Sequence, residues 1–563
     1  MSDHGTSDHQ DANMSDRHID SHRTAGVAAD GASPAPGLHA RGSRRELLVG
    51  LLLLAAVFVF HFVLESKLRA MGAFACLNTL FSADPGLTLE AICSGGGSNH
   101  LSHPLLEYLF SIPIGVVAKL GSLISSGGLD EVLTRGSLGL LVVPAAAGLQ
   151  TFVSLRILRT LGLSLRSALL LALLGSLSFS KLLLGSMPES YCLSALCISL
   201  GYLLFLRTRD RRGVRVELSW IALGVLTAGI TVTNVAALAI LYFVRERQLG
   251  RNLPGGSLRT AGMAVLVLVV TLACGQGLDR LFDAQPGRTP DEMVWISRYL
   301  VDDPGIQLAT FPTAVINGIA PPVPSRKPNN FALRMERSTA KDGKAAAPRR
   351  PARRRARGPG IRMPGAATEN DTLGGKKTGP VFLNREARAK PDPASADAAP
   401  EDTTDPAAAG AAPEDTTDPA PADAAPEDTA GPAQPDRVIP FSMTLQRTHD
   451  PRSVRNFIGI VLLATLACVA LRDKRLDPTF RSLARASLAI LAFNWILHGF
   501  WGGEQFLYSQ HWHVSLLVLM GAAVSVLEAR GRNALTPLVI CVVGVAVSNS
   551  IVLTKTMQAL LDG

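Results

Sequence analysis

The feature that most constrains this chain is a series of apolar stretches, each about 17–25 residues long, separated by short arginine-rich segments. A helix of that length covers roughly 30 Å of hydrocarbon. The chain has 563 residues, is 47% hydrophobic and has a mean hydropathy of +0.24, although it also carries long polar tails. Such a balance excludes an ordinary soluble protein. The expected fold class is an all-α polytopic membrane protein, with about eleven transmembrane helices and interfacial helices in the first external loop.

The net charge of +9 reports orientation before it reports nucleic acid, because the basic residues sit at span ends and in one tract. Arg41, Arg44 and Arg45 precede the first span at 46–64, which places the N-terminus inside and reads as an uncleaved anchor. The segment 103–124 is apolar enough to cross. Counting it as a crossing, however, would put RILRTLGLSLR (156–166) and RTRDRR (207–212) outside. As a helix in the outer interface, with Pro104 and Pro113, it leaves both basic clusters inside. The remaining spans are then expected at about 134–155, 164–185, 190–206, 217–232, 234–244, 260–277, 455–471, 482–500, 514–528 and 535–553. The expected location is the plasma (inner) membrane, with the N-terminus cytoplasmic and the C-terminus external.

Four regions follow: a disordered cytoplasmic tail (1–45), an N-terminal transmembrane module with external loops (46–277), an external region (278–454) and a C-terminal transmembrane module (455–563). The external region holds a helical pattern at 291–303 and a Pro/Ala/Asp-rich insert in which PEDTTD at 400 recurs at 413 and, as PEDTAG, at 426. That repeat is too short and polar to bury a face and reads as a disordered spacer. The basic tract PRRPARRRARGPGIR (348–362) lacks interleaved aromatics, which argues against nucleic acid. Cys192, Cys197, Cys274, Cys468 and Cys541 lie in apolar spans and read as small core residues. Cys76 and Cys93 share the first external loop and can form a disulfide if that side is oxidising.

Candidate reactive residues collect on the external side. Asp84, in FSADPG (81–86), can act as a general base on an acceptor hydroxyl, or it can simply make an Asp-Pro-Gly turn. Glu189, in MPES (187–190), stands at a helix start, where it is either a second reactive carboxylate or a partner of the helix dipole. His103 is a substrate contact or a solvated loop residue. The loop WGGEQFLYSQHWH (501–513) offers Glu504, Tyr508 and His511 as substrate contacts, and its tryptophans suit the aromatic belt. The cysteines follow no metal spacing, no metal ligands are assigned, and a divalent metal remains open.

With its first acidic loop at Asp84, SHPLLEYLF (102–110) leading into an interfacial helix, and Glu189 in the next external loop, the chain resembles the C-type glycosyltransferase superfamily. The span pair LGVLTAGITVTNVAALAILYFVRER (223–247) and the large external region after the seventh span (260–277) add to the likeness. These are polytopic enzymes that use polyprenyl-phosphate sugars, the protein O-mannosyltransferases and aminoarabinose transferases among them. The likeness covers residues 46–300 best. Three departures stand out: one Asp where many members pair two acidic residues, Glu189 where several carry Asp, and the repeat-bearing insert. The resemblance implies displacement at the anomeric carbon of a lipid-linked sugar phosphate, with Asp84 deprotonating the acceptor. The acceptor would be an envelope glycan, lipid or protein. No GxxxxGK[ST] loop is present for a nucleotide.

Two other classes compete. A transporter or flippase predicts ionisable residues within spans, which look scarce here, and inverted repeats, which are not seen. A non-catalytic envelope scaffold would be indifferent to replacement of Asp84 and Glu189. The external placement of Glu189 predicts that a cysteine at Ser186 reacts with a membrane-impermeant thiol reagent in intact cells and that one at Thr208 does not.

Overall fold

The computed structural model describes residues 44–74, 79–81, 83, 85–94, 103–124, 131–281, 303–328, 441–444, 452–501 and 505–562. The chain divides into two units, Met1–Leu47 and Leu48–Gly563. Only residues 44–47 of the first are described, so the architecture below is that of the second.

Among the described residues the fold is all-helical apart from one short strand pair. Its first half comprises α1 (Arg44–Ala70), α2 (Pro85–Ser94), α3 (Leu106–Ile124), α4 (Glu131–Thr160), α5 (Leu165–Ser176), α6 (Phe179–Leu184), α7 (Ser190–Thr208), α8 (Val214–Ile230), α9 (Val235–Gln248) and α10 (Leu253–Leu281). Then come α11 (Pro304–Ile319), strands β1 (Ser325–Pro328) and β2 (Phe441–Thr444), and α12 (Val454–Arg472). Helices α13 (Pro478–Phe500), α14 (Ser509–Ala529) and α15 (Leu535–Leu561) complete the chain. Among the described residues, nine helices are long and apolar enough to cross a membrane: α1, α3, α4, α7, α10, α12, α13, α14 and α15. This is a multi-pass membrane protein.

Three expected spans take another form. The span expected at 164–185 is two short helices, α5 and α6, broken at Leu177 and Ser178. The pair expected at 217–232 and 234–244 is a hairpin of α8 and α9, whose 17 and 14 residues reach only about 25 and 21 Å. Conversely α3, expected in the interface, has the length and composition of a span. Its start and its middle are held by the ends of two other helices. Tyr108 donates to Asp279 of α10 at 2.5 Å, and the Arg135 guanidinium of α4 packs over Gly115.

In hydrocarbon a freed backbone carbonyl has no water to turn to. The break between α5 and α6 is therefore matched by a side chain. Asn549 of α15 donates to the carbonyls of both Leu177 and Ile319, each at 2.7 Å. The second acceptor ends α11, a buried helix in the region expected to be a polar external segment. Helix α11 buries Phe311, Ala314 and Val315, and its polar side chains find partners: Thr313 donates to Asn456 at 3.2 Å and Arg455 to Asn317 at 3.1 Å. Its N-cap Asp303 accepts from the Ile306 amide at 3.1 Å. The pattern expected at 291–303 lies almost wholly outside the described residues, as do the repeats.

Strands β1 and β2 pair antiparallel, with Pro328 opposite Phe441. Thr79 and Phe81 extend the pairing by bonding to the two sides of Met443, at 2.8 Å each, which ties the first loop to the strand pair. Phe81 adopts φ +54, costly for a bulky L-residue. Its ring is wedged edge-on against Phe179 and Phe506, at 5.9 and 5.5 Å, which holds the conformation. Deeper in the bundle, Tyr202 of α7 shares hydrogen bonds with Ser487 of α13 and Ser515 of α14, at 2.9 and 2.8 Å. Cys192 and Cys197 are core residues as expected, whereas Cys274, Cys468 and Cys541 are exposed on the outer faces of their helices.

An ionic cluster closes the far end of the hairpin. Arg245 is fully buried and donates to Glu246 at 2.9 Å, Glu217 at 3.3 Å and the carbonyls of Thr208 and Arg211 at 3.1 and 2.7 Å. Glu246 also pairs with Arg251 at 2.6 Å, and Arg259 with Glu217 at 3.3 Å. Removing one partner of such a set leaves buried charge uncompensated. Arg245→Ala is expected to cost about 3–5 kcal/mol, read as a lowered thermal midpoint of the purified protein, with Arg245→Lys intermediate. Ser186 is fully buried and bonded to His61, so a cysteine there is shielded from any reagent. The topology is read instead from exposed Ala70 and Asp210: if the orientation expected from the basic residues holds, Ala70→Cys labels from outside and Asp210→Cys only after permeabilisation.

Candidate functional site

The site is assembled where α2, α3, α7, α13 and α14 converge. Asp84 lies outside the described residues, and so do Glu504 and Cys76. Cys93, the other half of the expected disulfide, points its Sγ at the Arg135 carbonyl at 3.5 Å, and burial pushes its thiol up to about 11.

Glu189 is buried at the N-cap of α7, but its side chain makes no capping bond. Its carboxylate instead accepts from the Thr88 hydroxyl of α2 at 3.4 Å. Helix α2 begins at Pro85, directly after Asp84, so Thr88 stands one turn beyond it. The two acidic segments are thereby brought to one place, 101 positions apart in sequence.

His103 is not a solvated loop residue. Its Nδ1 lies 2.5 Å from the Ile230 carbonyl, which makes Nδ1 the protonated nitrogen. The neighbouring amide of Leu105 donates to Gly229 at 2.9 Å, and a Cβ on Gly229 would stand 2.7 Å from Leu105, so only glycine permits this approach. His103 thus anchors the start of α3 on the tip of the α8–α9 hairpin. Thr231 in that tip continues to Ser194 of α7 at 2.8 Å. Desolvation lowers the His103 pKa, against a smaller opposing effect of its bond to Ile230.

Tyr508 and His511 are brought together with two rings that sequence reasoning missed. Tyr508 stacks on His498 with centroids 4.0 Å apart. Tyr191, two residues beyond Glu189, meets Tyr508 edge-on at 5.6 Å and His511 at 5.9 Å. His498 and His511 are buried; among the described residues neither ring nitrogen of His511 has a partner, and His498 has only the Trp501 backbone beside it. His498 was hidden in the last turn of α13, where an apolar run conceals one polar residue.

A second group went unseen. His61 and Glu65 lie four residues apart on one face of α1, and both are buried. His61 bonds to Ser186 at 2.7 Å, whereas neither oxygen of Glu65 has a partner among the described residues. Lys181 is buried in α6 with its Nζ 3.5 Å from Cys192 Sγ. Ionisable residues in apolar helices are therefore present, contrary to the expectation that they are scarce. The available signals were the His-x-x-x-Glu spacing in α1 and the lone Lys in FSKLLL. Among the described residues, no set of three His, Cys, Asp or Glu side chains is arranged to hold a metal ion.

No family model, no curated protein and no solved structure matches this chain.

The His103 shift has a pH consequence. The folded imidazole resists protonation, while the unfolded one takes a proton near pH 6.5. Below that pH the unfolded chain binds more protons, so this contribution is present above about pH 6.5 and is lost as pH falls. Thermal midpoints measured from pH 7.5 to 5 are expected to drop, with a shallower slope in His103→Gln, which keeps a donor for Ile230.

Proposed function

We propose that this chain is a membrane glycosyltransferase that moves a sugar from a polyprenyl-phosphate carrier to an envelope acceptor at the outer face. The observation that carries the reading is the Thr88–Glu189 hydrogen bond, which draws the segment after Asp84 onto the MPES segment. In this reading Asp84 takes the acceptor proton and Glu189 is the second carboxylate of the site. His103, Glu504, Tyr508 and His511 line the substrate side. The lipid phosphate is the leaving group, and donors positioned where its charge develops would stabilise it.

The orientation follows the basic residues. Arg209 bonds to Thr479, Arg530 to Asp473 at 3.0 Å, and Ser167 to Glu528 at 2.5 Å, so the arginine-rich turns gather at one end of the bundle. Placing that end in the cytoplasm puts Glu189 and the C-terminus outside. The two grips on α3, at Tyr108 and near Gly115, come from helix ends on the opposite side, which supports an interfacial rather than a crossing α3.

A second reading rests on a different observation. Buried ionisable residues in membrane helices mark transport paths by default, and Glu65 and Lys181 are such residues. A flippase or transporter would depend on them and not on Asp84.

The deciding assay is transfer of labelled sugar from polyprenyl-phosphate donors in membranes bearing wild-type, Asp84→Asn or Glu189→Gln protein at equal levels. Loss of a carboxylate acting in proton transfer is expected to slow transfer by roughly 10²–10⁴-fold. Absence of transfer from every donor with the wild-type protein, together with lipid movement in vesicles that Glu65→Gln abolishes, would replace this function with the transporter reading.

A further inference from the structure

In the middle of the bundle, where α4, α5, α6 and α14 meet, a small cavity is lined by Gln150, Thr151, Ser154, Ser176, Lys181 and His513. It has space for about one water-sized body. None of Glu189, Tyr191, Tyr508 and His511 lines it, and the reading above does not use it.

The wall is unbalanced in a specific way. Lys181 is 2% exposed and makes no ion pair among the described residues; the buried Glu65 carboxylate of α1 does not reach it. Its one hydrogen bond goes to Cys192 Sγ at 3.5 Å, and an ammonium has three protons to place. Gln150 is also 2% exposed, and neither atom of its side-chain amide has a partner among the described residues. The hydroxyls supply no further donors. Ser154 donates to the Gln150 carbonyl at 2.8 Å and Ser176 to Ala172 at 2.9 Å. Thr151 sits 3.0 Å from the Ala147 carbonyl and 2.9 Å from Ser176. What remains open is the Lys181 ammonium and both ends of the Gln150 amide, its N–H groups and its carbonyl oxygen, with the His513 ring beside them.

A buried ammonium without a counter-charge is costly. A water molecule would accept a hydrogen bond from it and leave the charge uncompensated. A small anion would accept from both open donors and neutralise the charge. We propose that this cavity is a binding site for a single halide-sized anion, held by the Lys181 ammonium and the Gln150 amide. Seated beside the break between α5 and α6, the ion ties both halves of that broken helix to α4 and α14.

The test uses the full chain in detergent or nanodiscs. Thermal midpoints are measured in sodium chloride and in sodium gluconate at equal ionic strength, alongside binding of radioactive chloride competed by bromide. The expected result is a midpoint that climbs with the logarithm of chloride concentration and saturable binding of one chloride per chain. Both are lost in Lys181→Met and in Gln150→Leu. The two variants remove different donors, and wild-type binding is informative even if one of them fails to fold. Equal midpoints in the two salts with no bound chloride would overturn the proposal in favour of a water and a neutral lysine. Chloride binding that survives in both variants would overturn it by placing the ion elsewhere.

Discussion

Everything in this structure answers to one constraint: inside a bilayer, a backbone or side-chain polar group must find its partner within the protein. The clearest case is Asn549, whose single amide serves the carbonyl freed by the break after α5 and the carbonyl that ends α11. Without that amide, neither interruption could lie among lipid-facing helices at acceptable cost. The same logic explains Tyr202, whose hydroxyl meets serines of two other helices, and the Arg245 cluster, where each buried charge has an opposite beside it.

Against this background the unsatisfied groups stand out. A native interior leaves few buried polar atoms without partners. Among the described residues, two groups of them bear on the sites discussed above: the His511 imidazole beside His498, and the Glu65 carboxylate with the Gln150 amide. The first adjoins Tyr191 and Glu189, where two acidic segments converge. The second sits deeper, around a broken helix, a feature that membrane proteins tolerate where it lines a cavity. One chain thus holds two polar centres, the first proposed for transfer chemistry and the second for a small anion.

Much of the fold was legible in the residues. Long apolar runs marked most helices, and the arginine clusters marked one end of the bundle. The departures have physical reasons. FSKLLL reads as a continuation of an apolar run, because a single Lys hardly lowers its hydropathy, yet the helix breaks at Leu177. Helix α11 was read as part of the polar region around it, but half of its residues are apolar and its polar groups are satisfied by Arg455, Asn456 and Gln505. Glu65 lies one residue past the expected end of the first span, yet α1 continues to Ala70 and buries it. Of the site residues expected, His103, Glu189, Tyr508 and His511 are described, and they share one region.

The sequence by itself determined that this is a helical membrane protein and roughly where its apolar helices lie. Transfer into hydrocarbon is close to a sum over neighbouring residues and can be read locally. Only the tertiary structure decided which polar groups face one another. Thr88 meets Glu189, Asn549 meets Leu177 and Tyr202 meets Ser515 across separations of 101, 372 and 313 positions. Such pairings depend on how helices pack against one another, and no local pattern along the chain encodes them.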